Sequence, residues 1–337
     1  MCQTKTILVT DYAWPSLDIE REILGGIGAQ IRVAKSGCAE ELVAMAPEAD
    51  AILCNWKAVS TDVLRAAAKC ITVGRYGIGL DNIDVAFATS LGIVVTNVPA
   101  YCVDDVADHT MALLLACNRK VCWFDKDIKA GSYDLKARAP LHRLHGHTLG
   151  LAGFGRIGRA VAQRAAAFGM RIIAYRPRSR DGHTRSDNIE FVSFPELLEH
   201  SDYLSIHLPA TPETTNLFSG SVFARVKHGA VLINTARGSL VHAADLLRAL
   251  ETGAIAAAGI DVWQSEPLPP DDPLANHPRI IATPHAAFYS DESLRELQTT
   301  AAAQAAAILS GHQTQNIVNP AVLTQPNLRA HLLRKAD

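Results

Sequence analysis

The sequence predicts an α/β protein built from two doubly wound, parallel-sheet domains. Short apolar runs alternate with stretches of helical periodicity along the chain, which is the pattern of βαβ units and therefore of parallel sheets. The chain has 337 residues, more than one hydrophobic core usually accommodates. We therefore expect two domains with a cleft between them.

A glycine motif near the middle of the chain predicts a dinucleotide site. Residues 149–158 read LGLAGFGRIG, an apolar run that turns through G-x-G-x-x-G into a helix-forming stretch. Gly153 would allow the tight turn, Gly155 would let the backbone approach the phosphates, and Gly158 would let the helix pack closely on the strand. We expect the helix N-terminus to face the pyrophosphate of NAD or NADP.

Two series of apolar runs predict the strands of the two sheets. The first series gives five strands, at residues 7–10, 31–34, 51–54, 71–73 and 93–96. The second gives six strands, the number in a complete Rossmann fold, at residues 148–152, 172–175, 203–207, 231–234, 260–262 and 280–283. Helices are predicted at residues 104–122 and 292–309.

The order of these elements predicts a discontinuous domain arrangement. We expect a dinucleotide-binding Rossmann domain at residues 102–289, inserted into a flavodoxin-like substrate domain formed by residues 1–101 and 290–337.

Composition argues against several classes of partner. A net charge of −2 provides no long-range attraction for nucleic acid or anionic lipid, and no apolar run is long enough for a membrane span or a signal core. The seven cysteines contain no C-x-x-C pair, and the histidines at 142, 145 and 147 lack a suitable fourth ligand, so no metal site is predicted. We expect a cytoplasmic protein with reduced thiols.

Three polar residues follow successive predicted strands of the second sheet. They are Arg237, Glu266 and His285. Ligands gather at the carboxyl ends of strands in doubly wound sheets, so the three side chains can converge. Arginine binds a carboxylate through two parallel hydrogen bonds, and histidine can exchange a proton near neutral pH. A nearby carboxylate favours the protonated form of the histidine. This set suits reduction of a 2-oxo acid by a nicotinamide, although each residue taken singly also fits an ordinary structural role.

Several motifs also carry a family resemblance. They are residues 77–84 (GIGLDNID), 97–99 (NVP), 153–158 (GFGRIG), 207–211 (HLPAT), 234–238 (NTARG), 261–267 (DVWQSEP) and 283–285 (TPH). In this order they make nearly the whole chain resemble the D-isomer-specific 2-hydroxyacid dehydrogenases.

The resemblance implies roles for individual residues. Arg237, Glu266 and His285 would be the catalytic set, and Asp261 would bind the nicotinamide carboxamide. The backbone N–H groups of Gly77, Ile78 and Gly79 would help Arg237 to hold the substrate carboxylate. The nucleotide contacts expected in these motifs are Gly153, Gly155, Arg156, Ile157, Gly158, His207, Pro209, Thr235, Ala236 and Asp261.

The residue after the second strand of the nucleotide domain departs from the NAD pattern. Sites specific for NAD carry an acidic residue there, about 20 residues beyond the glycines, whereas this chain has Arg176. An arginine accommodates the 2′-phosphate, and Arg178 and Ser179 could add contacts, so we expect NADP(H) to be preferred and NAD(H) to be accepted. A solvated basic loop is the alternative interpretation.

A second departure suggests a different class of function. Residues 106–109 read VADH, with Asp108 where most relatives have glutamate, and together with residues 98–103 (VPAYCV) they resemble the C-terminal-binding-protein branch. That branch includes nicotinamide-sensing corepressors. A redox-sensing binding protein is therefore the alternative to an enzyme.

Substrate selection is expected at the strand ends of the first domain. Trp56 or Tyr76 could stack on an apolar or aromatic substituent, and Lys57 could meet a second anionic group, but packing between domains explains the aromatic residues equally well. The apolar segment 121–144 predicts a homodimer, as in relatives. The overall expectation is an enzyme that reduces a small 2-oxo acid to a D-2-hydroxy acid, or one that oxidises phosphite or formate.

Overall fold

The computed structural model describes residues 4–177, 185–186 and 189–330. Within these ranges the chain divides into two units. The terminal unit contains the residues up to Tyr101 and those from Ser290 onward, and the central unit runs from Cys102 to Tyr289.

The terminal unit is built on a five-stranded parallel sheet in the order β2-β1-β3-β4-β5, the strand order of flavodoxin-like folds. All four residues of β3 are buried, because helices cover both faces of a parallel sheet. The elements are β1 (Thr6–Val9), α1 (Asp18–Gly25), β2 (Gln30–Val33), α2 (Ala39–Met45), β3 (Ala51–Cys54), α3 (Thr61–Ala66), β4 (Thr72–Arg75), α4 (Val85–Ser90) and β5 (Val94–Thr96). The five strands predicted for the first sheet are confirmed.

The central unit contains an eight-stranded sheet in the order β13-β12-β11-β10-β6-β7-β9-β8. Seven strands are parallel, and only the two-residue β8 pairs antiparallel, with β9. The elements are α5 (Val103–Arg119), α6 (Val121–Lys129), β6 (Thr148–Ala152), α7 (Arg156–Ala167), β7 (Arg171–Tyr175), β8 (Arg185–Ser186), β9 (Ile189–Phe191), α8 (Phe194–His200), β10 (Tyr203–Ile206), α9 (Gly220–Phe223), β11 (Ala230–Asn234), α10 (Ala243–Glu251), β12 (Ile255–Ile260) and β13 (Ile280–Ala282).

This strand order confirms the predicted Rossmann fold. Counted from β6, the strands β9-β7-β6-β10-β11-β12 follow the order 3-2-1-4-5-6, and β13 adds one more parallel strand. The glycine motif lies between β6 and α7, at the first strand-to-helix turn of the unit.

Three element predictions are corrected by the structure. The strand predicted at residues 260–262 lies earlier in the chain, at Ile255–Ile260. The prediction missed its start because the alanine-rich run 256–258 has no strand pattern of its own, although β12 is largely buried. The parallel strand β9 was not predicted at all. The helix predicted at 104–122 is divided at Lys120, which has a left-handed backbone (φ +57°).

The terminal unit is completed by the helix α11 (Asp291–Leu309). Ser290 caps it, since its Oγ accepts a hydrogen bond from Ser293 N at 3.0 Å. The chain then returns to β5, where Val318 N donates to Val95 O at 2.9 Å. None of the helices in the described ranges has the length and apolar character that a membrane span requires.

Candidate active site

The central unit brings the predicted site residues to the same edge of its sheet. The glycine motif follows β6, Arg237 follows β11, Glu266 lies in the loop after β12, and His285 lies just beyond β13. All of these strands are parallel, so their carboxyl ends meet along one edge.

The three glycines of the motif differ in what surrounds them. Gly153 has φ +104°, and a Cβ there would lie 2.6 Å from His207 O. A Cβ on Gly158 would lie 2.7 Å from Gly153 O, whereas a Cβ on Gly155 would meet no atom of the described residues within 4 Å. Backbone packing therefore requires glycine at 153 and 158, and the open space at 155 fits a pyrophosphate at the N-terminus of α7. Arg156 and Ile157 form the first turn of that helix.

Arg176 lies beside this motif, immediately after β7. Its guanidinium carbon is 4.2 Å from the centre of the Phe191 ring and 5.1 Å from that of Phe154, which belongs to the glycine motif. Two aromatic rings thus place a cation next to the nucleotide loop, as the hypothesis of a 2′-phosphate contact requires. Arg178 and Ser179 lie outside the described residues.

His285 and Glu266 form a hydrogen-bonded pair. His285 Nδ1 donates to Glu266 Oε2 at 2.7 Å, and Trp263 N donates to Glu266 Oε1 at 2.9 Å. Burial raises the pKa of Glu266, but its hydrogen bond to His285 and the charges of His285 and Arg237 outweigh burial and lower the pKa below its usual value. The carboxylate therefore stays ionised and orients the ring, so that Nε2 is the nitrogen that can serve a reactant.

The turn that carries His285 is held by Asp261. His285 has a left-handed backbone (φ +55°), which is uncommon for a residue other than glycine, and its N–H donates to Asp261 O at 2.7 Å. The Asp261 carboxylate accepts hydrogen bonds from Ala286 N at 2.8 Å and Ala287 N at 3.0 Å. Because Asp261 is fully buried, these bonds fix the turn, a role that the sequence did not reveal.

Arg237 is brought close to this pair by the contact between two loops. A Cβ on Gly238 would lie 2.0 Å from Trp263 C, so only glycine lets the loop after β11 rest on the loop after β12. Asn234 shapes the same turn, since its Nδ2 donates to Arg237 O at 2.9 Å and its Oδ1 accepts from Ala236 N at 3.0 Å. The positive charge of Arg237 contributes to the lowered pKa of the Glu266 carboxyl.

The other expected nucleotide contacts lie at the ends of β10 and β11. His207 Nε2 is 2.9 Å from Ser205 Oγ, and burial lowers the pKa of His207 to about 4, so its ring is neutral at pH 7. Thr235 Oγ1 lies 2.9 Å from Thr110 Oγ1, which ties the β11 turn to α5. Pro209 is exposed, and Ala236 is partly buried.

The residues predicted to contact the substrate, other than Arg237, lie in the terminal unit. Gly77 has φ +147°, and a Cβ there would lie 2.7 Å from the guanidinium of Arg75, so the turn at 77–79 needs glycine at its start. Trp56 is 47% exposed, and the backbone N–H groups of Trp56 and Lys57 donate to the Asp11 carboxylate at 2.8 and 3.2 Å. The loop after β3 thus presents an aromatic ring and a cation to solvent.

The prediction that Tyr76 stacks on substrate is wrong. Its ring is 1% exposed and packs edge-on against Trp14, with ring centres 4.8 Å apart. The backbone N–H of Tyr76 donates to Cys54 O, where the strands β4 and β3 end. The Tyr76 side chain belongs to the core of the terminal unit. The position after a strand indicated a surface site, but the sequence could not show which way the side chain points.

The departure at Asp108 has a structural explanation. Arg164 on α7 donates to Asp108 at 2.5 Å and to Asp104 at 2.9 Å, so the aspartate pairs α5 with the helix of the glycine motif. In the part of the chain that the structure describes, no three His, Cys, Asp or Glu residues are grouped so as to hold a metal ion.

The fold and this constellation define a dinucleotide-dependent oxidoreductase of the doubly wound α/β class. The family model for the NAD-binding domain of D-isomer specific 2-hydroxyacid dehydrogenases matches residues 111–287. A glyoxylate reductase of Korarchaeum cryptofilum is 40% identical over 79% of this chain and 81% of its own length. The chain belongs to the D-isomer-specific 2-hydroxyacid dehydrogenase family and is an enzyme of that class with a nicotinamide cofactor.

Two further proteins are similar to this chain, one in sequence and one in fold. A D-3-phosphoglycerate dehydrogenase of Methanocaldococcus jannaschii is 37% identical over 96% of this chain, which spans only 61% of that longer protein. The crystal structure of a glyoxylate reductase from Paecilomyes thermophila superposes with a TM-score of 0.85, at 28% identity over 95% of this chain and 99% of that one. The likeness to the C-terminal-binding-protein branch stays a prediction.

Proposed function

We propose that this enzyme reduces a small 2-oxo acid to the D-2-hydroxy acid, with His285 as the proton donor. The observation that carries the proposal is the 2.7 Å hydrogen bond between His285 Nδ1 and the ionised Glu266 carboxylate. Such a carboxylate stabilises the imidazolium and aims the opposite ring nitrogen at a reactant. The relatives named as glyoxylate reductases support a 2-oxo acid as substrate.

His285, Glu266 and Arg237 have separate roles in the proposed reaction. The nicotinamide, when bound, supplies the hydride to the carbonyl carbon. His285 Nε2–H protonates the carbonyl oxygen, and the Glu266 carboxylate holds the ring in place through its hydrogen bond to Nδ1. Arg237 holds the substrate carboxylate through its guanidinium, a role for which two parallel N–H donors suit it. In the reverse direction, neutral His285 accepts the hydroxyl proton.

The two units have separate roles in this proposal. The central unit binds the nucleotide through Gly153, Gly155 and Gly158. The Asp261 carboxylate is fully buried and already accepts from Thr283, Ala286 and Ala287, so it holds the His285 turn and does not bond the nicotinamide carboxamide as expected from the sequence. The terminal unit binds the acid through the N–H groups of Gly77, Ile78 and Gly79, with Trp56 and Lys57 facing its substituent. We propose that the central unit is the nucleotide-binding domain, residues 102–289, and that the terminal unit, residues 1–101 and 290–337, is the substrate domain.

The coenzyme proposal is a preference for NADPH over NADH. Arg176 replaces the acidic residue that bonds the ribose 2′-hydroxyl, and two aromatic rings hold its guanidinium beside the glycine motif. A 2′-phosphate would gain a charge-assisted contact there, whereas a hydroxyl would gain little.

The test is a panel of oxo acids assayed with both coenzymes. Glyoxylate, hydroxypyruvate, an aryl pyruvate and a phosphonate-bearing acid are each offered with NADPH and NADH, and phosphite and formate with NADP and NAD. We expect turnover of at least one oxo acid, faster with NADPH. Nucleotide binding without turnover of any acid would favour a sensing protein, and turnover of phosphite or formate alone would contradict the oxo-acid proposal.

The role of His285 is tested by His285→Asn. Asparagine tolerates the left-handed backbone, so the variant removes the acid while keeping the turn. We expect kcat to fall by about 10² or more and the nucleotide Kd to stay nearly unchanged. The control is His147→Asn, because His147 pairs with Asp202 at the other end of β6. A near-normal kcat in His285→Asn would remove His285 from the mechanism.

A further inference from the structure

His109 belongs to a hydrogen-bonded chain that ends at the turn carrying His285. His109 Nε2 lies 3.0 Å from Thr283 Oγ1, and Thr283 Oγ1 donates to Asp261 Oδ1 at 2.6 Å. The same histidine nitrogen lies 3.5 Å from Asp261 Oδ1. Thus α5, which carries His109, is linked to the loops after β12 and β13.

The direction of each hydrogen bond follows from the number of protons. The Thr283 hydroxyl has one hydrogen, and the carboxylate oxygen of Asp261 can only accept. The hydroxyl therefore donates to Asp261 and accepts from His109, so the network assigns the proton of the His109 ring to Nε2. His109 is the first donor of the chain.

Asp261 connects the Thr283 hydroxyl to the turn that carries His285. Its carboxylate is fully buried and accepts from Thr283 Oγ1, Ala286 N and Ala287 N, which surround it with donors. A buried carboxylate moves toward whichever donors remain when one is lost, because an unfilled acceptor is costly. The left-handed backbone of His285 persists only while its surroundings hold it.

We propose that His109 is a positioning residue that acts on His285 through Thr283 and Asp261. The inference rests on the proposed role of His285 as proton donor. His109 does not need to touch the substrate or the nucleotide: it sets the place of the Thr283 hydroxyl and hence of the Asp261 carboxylate that holds the turn at 285–287.

The experiment compares three variants with a matched control. His109→Phe removes the donor but keeps a planar ring, His109→Gln keeps an N–H donor of similar reach, and Thr283→Val removes the hydroxyl between His109 and Asp261. His147→Phe is the control, because His147 also pairs with a carboxylate in the same unit but lies just before β6, away from the site.

We expect kcat to fall about tenfold in His109→Phe and in Thr283→Val, the loss of roughly one hydrogen bond. The double variant should fall no further, because both changes break the same chain. His109→Gln should recover most of the activity, and the KM for the acid and the nucleotide Kd should stay within about twofold. The control should match the wild type.

A second measurement does not depend on turnover. The NMR signals of the His285 ring, identified by their loss in His285→Asn, should shift in His109→Phe and Thr283→Val and stay in place in His147→Phe. Absence of turnover in the wild type contradicts the proposed function, whereas unmoved His285 signals overturn this inference with or without turnover. An unchanged kcat in an active His109→Phe, or a loss confined to nucleotide affinity, overturns it as well.

Discussion

In the proposed function, single side chains determine both the proton transfer and the choice of coenzyme. The Glu266 carboxylate is ionised because the neighbouring charges of His285 and Arg237 outweigh the effect of burial on its pKa. The Arg176 guanidinium lies against two aromatic rings, and within the described residues it forms no ion pair with a carboxylate, so its charge is available to an anion. Two predictions belong to this scale.

The first concerns coenzyme choice. Arg176→Asp should lower the ratio of kcat/KM for NADPH to that for NADH by tenfold or more, because it removes a cation from the 2′-phosphate and offers a carboxylate to the 2′-hydroxyl. Initial rates with both coenzymes measure the ratio. Arg171→Asp, at the opposite end of β7, is the control and should leave the ratio unchanged. An unaltered ratio in Arg176→Asp would mean that this basic segment is only solvated.

The second concerns stability at acid pH. The pKa of His207 falls from 6.5 to about 4 on folding, so between these values the unfolded chain binds a proton that the folded chain does not. The free energy of unfolding should therefore decrease as the pH falls from 6.5 to 4, by about 2–3 kcal/mol for a pKa difference of this size.

Urea unfolding of the wild type and His207→Gln at several pH values measures that contribution. The difference between the two proteins should change across this window and be constant above it. A difference that is constant from pH 7 to pH 4 would contradict the lowered pKa.

Loops that follow the strands place the reacting groups, and the closeness of their backbones determines where glycine is required. Gly153, Gly158 and Gly238 each face a backbone atom within 3 Å of a hypothetical Cβ, whereas Gly155 faces open space. The first three positions thus serve the packing of the elements. No described part of the chain constrains the fourth position in this way.

The open space at Gly155 lets a substitution there separate nucleotide binding from stability. Gly155 has an extended backbone (φ −87°, ψ −156°), so Gly155→Ala fits the protein without strain and should change Tm by no more than about 2 °C. The added methyl group lies where the pyrophosphate approaches, so nucleotide affinity should fall about tenfold or more. Thermal melting and nucleotide titration measure the two effects.

Gly238→Ala is the matched comparison. Its Cβ would overlap the Trp263 backbone, so Tm should fall by several degrees because the two loops must separate. If Gly155→Ala bound nucleotide as the wild type does, the pyrophosphate would not approach the motif at that position.

Around α6 the protein carries apolar side chains that the described residues leave exposed. Tyr133 is 96% exposed and Leu135 is 82% exposed, and both follow α6, on which Val121 and Ile128 are exposed as well. Exposed apolar side chains grouped in this way are typical of surfaces that bind another protein. This observation supports the proposed homodimer through residues 121–144.

The corresponding prediction concerns mass in solution. Light scattering should give twice the 36.2 kDa of one chain, and Tyr133→Asp combined with Leu135→Asp should shift the protein toward the monomer, because charges would be buried at the interface. Tyr133→Phe keeps the apolar surface and serves as the control. A monomeric wild type would contradict the homodimer.

Much of the fold could be predicted because it depends on local patterns. The strands of the first sheet, the glycine motif and the long helix at the end of the chain each have their own periodicity or turn chemistry. Failures occurred where local signals are weak. The alanine-rich strand β12 and the short strand β9 are stabilised by their neighbours in the sheet, and the helix break at Lys120 has no glycine or proline to mark it.

The identity of the candidate site residues was available from the sequence, but their geometry was not. Residue types, their order after successive strands and the charge at Arg176 are properties of the chain itself. The bond from His285 to Glu266, the left-handed turn held by Asp261 and the burial of Tyr76 arise from contacts between residues far apart in the sequence. Tertiary packing alone decides those contacts, because side-chain direction and the protonation of coupled groups depend on which neighbours the fold supplies.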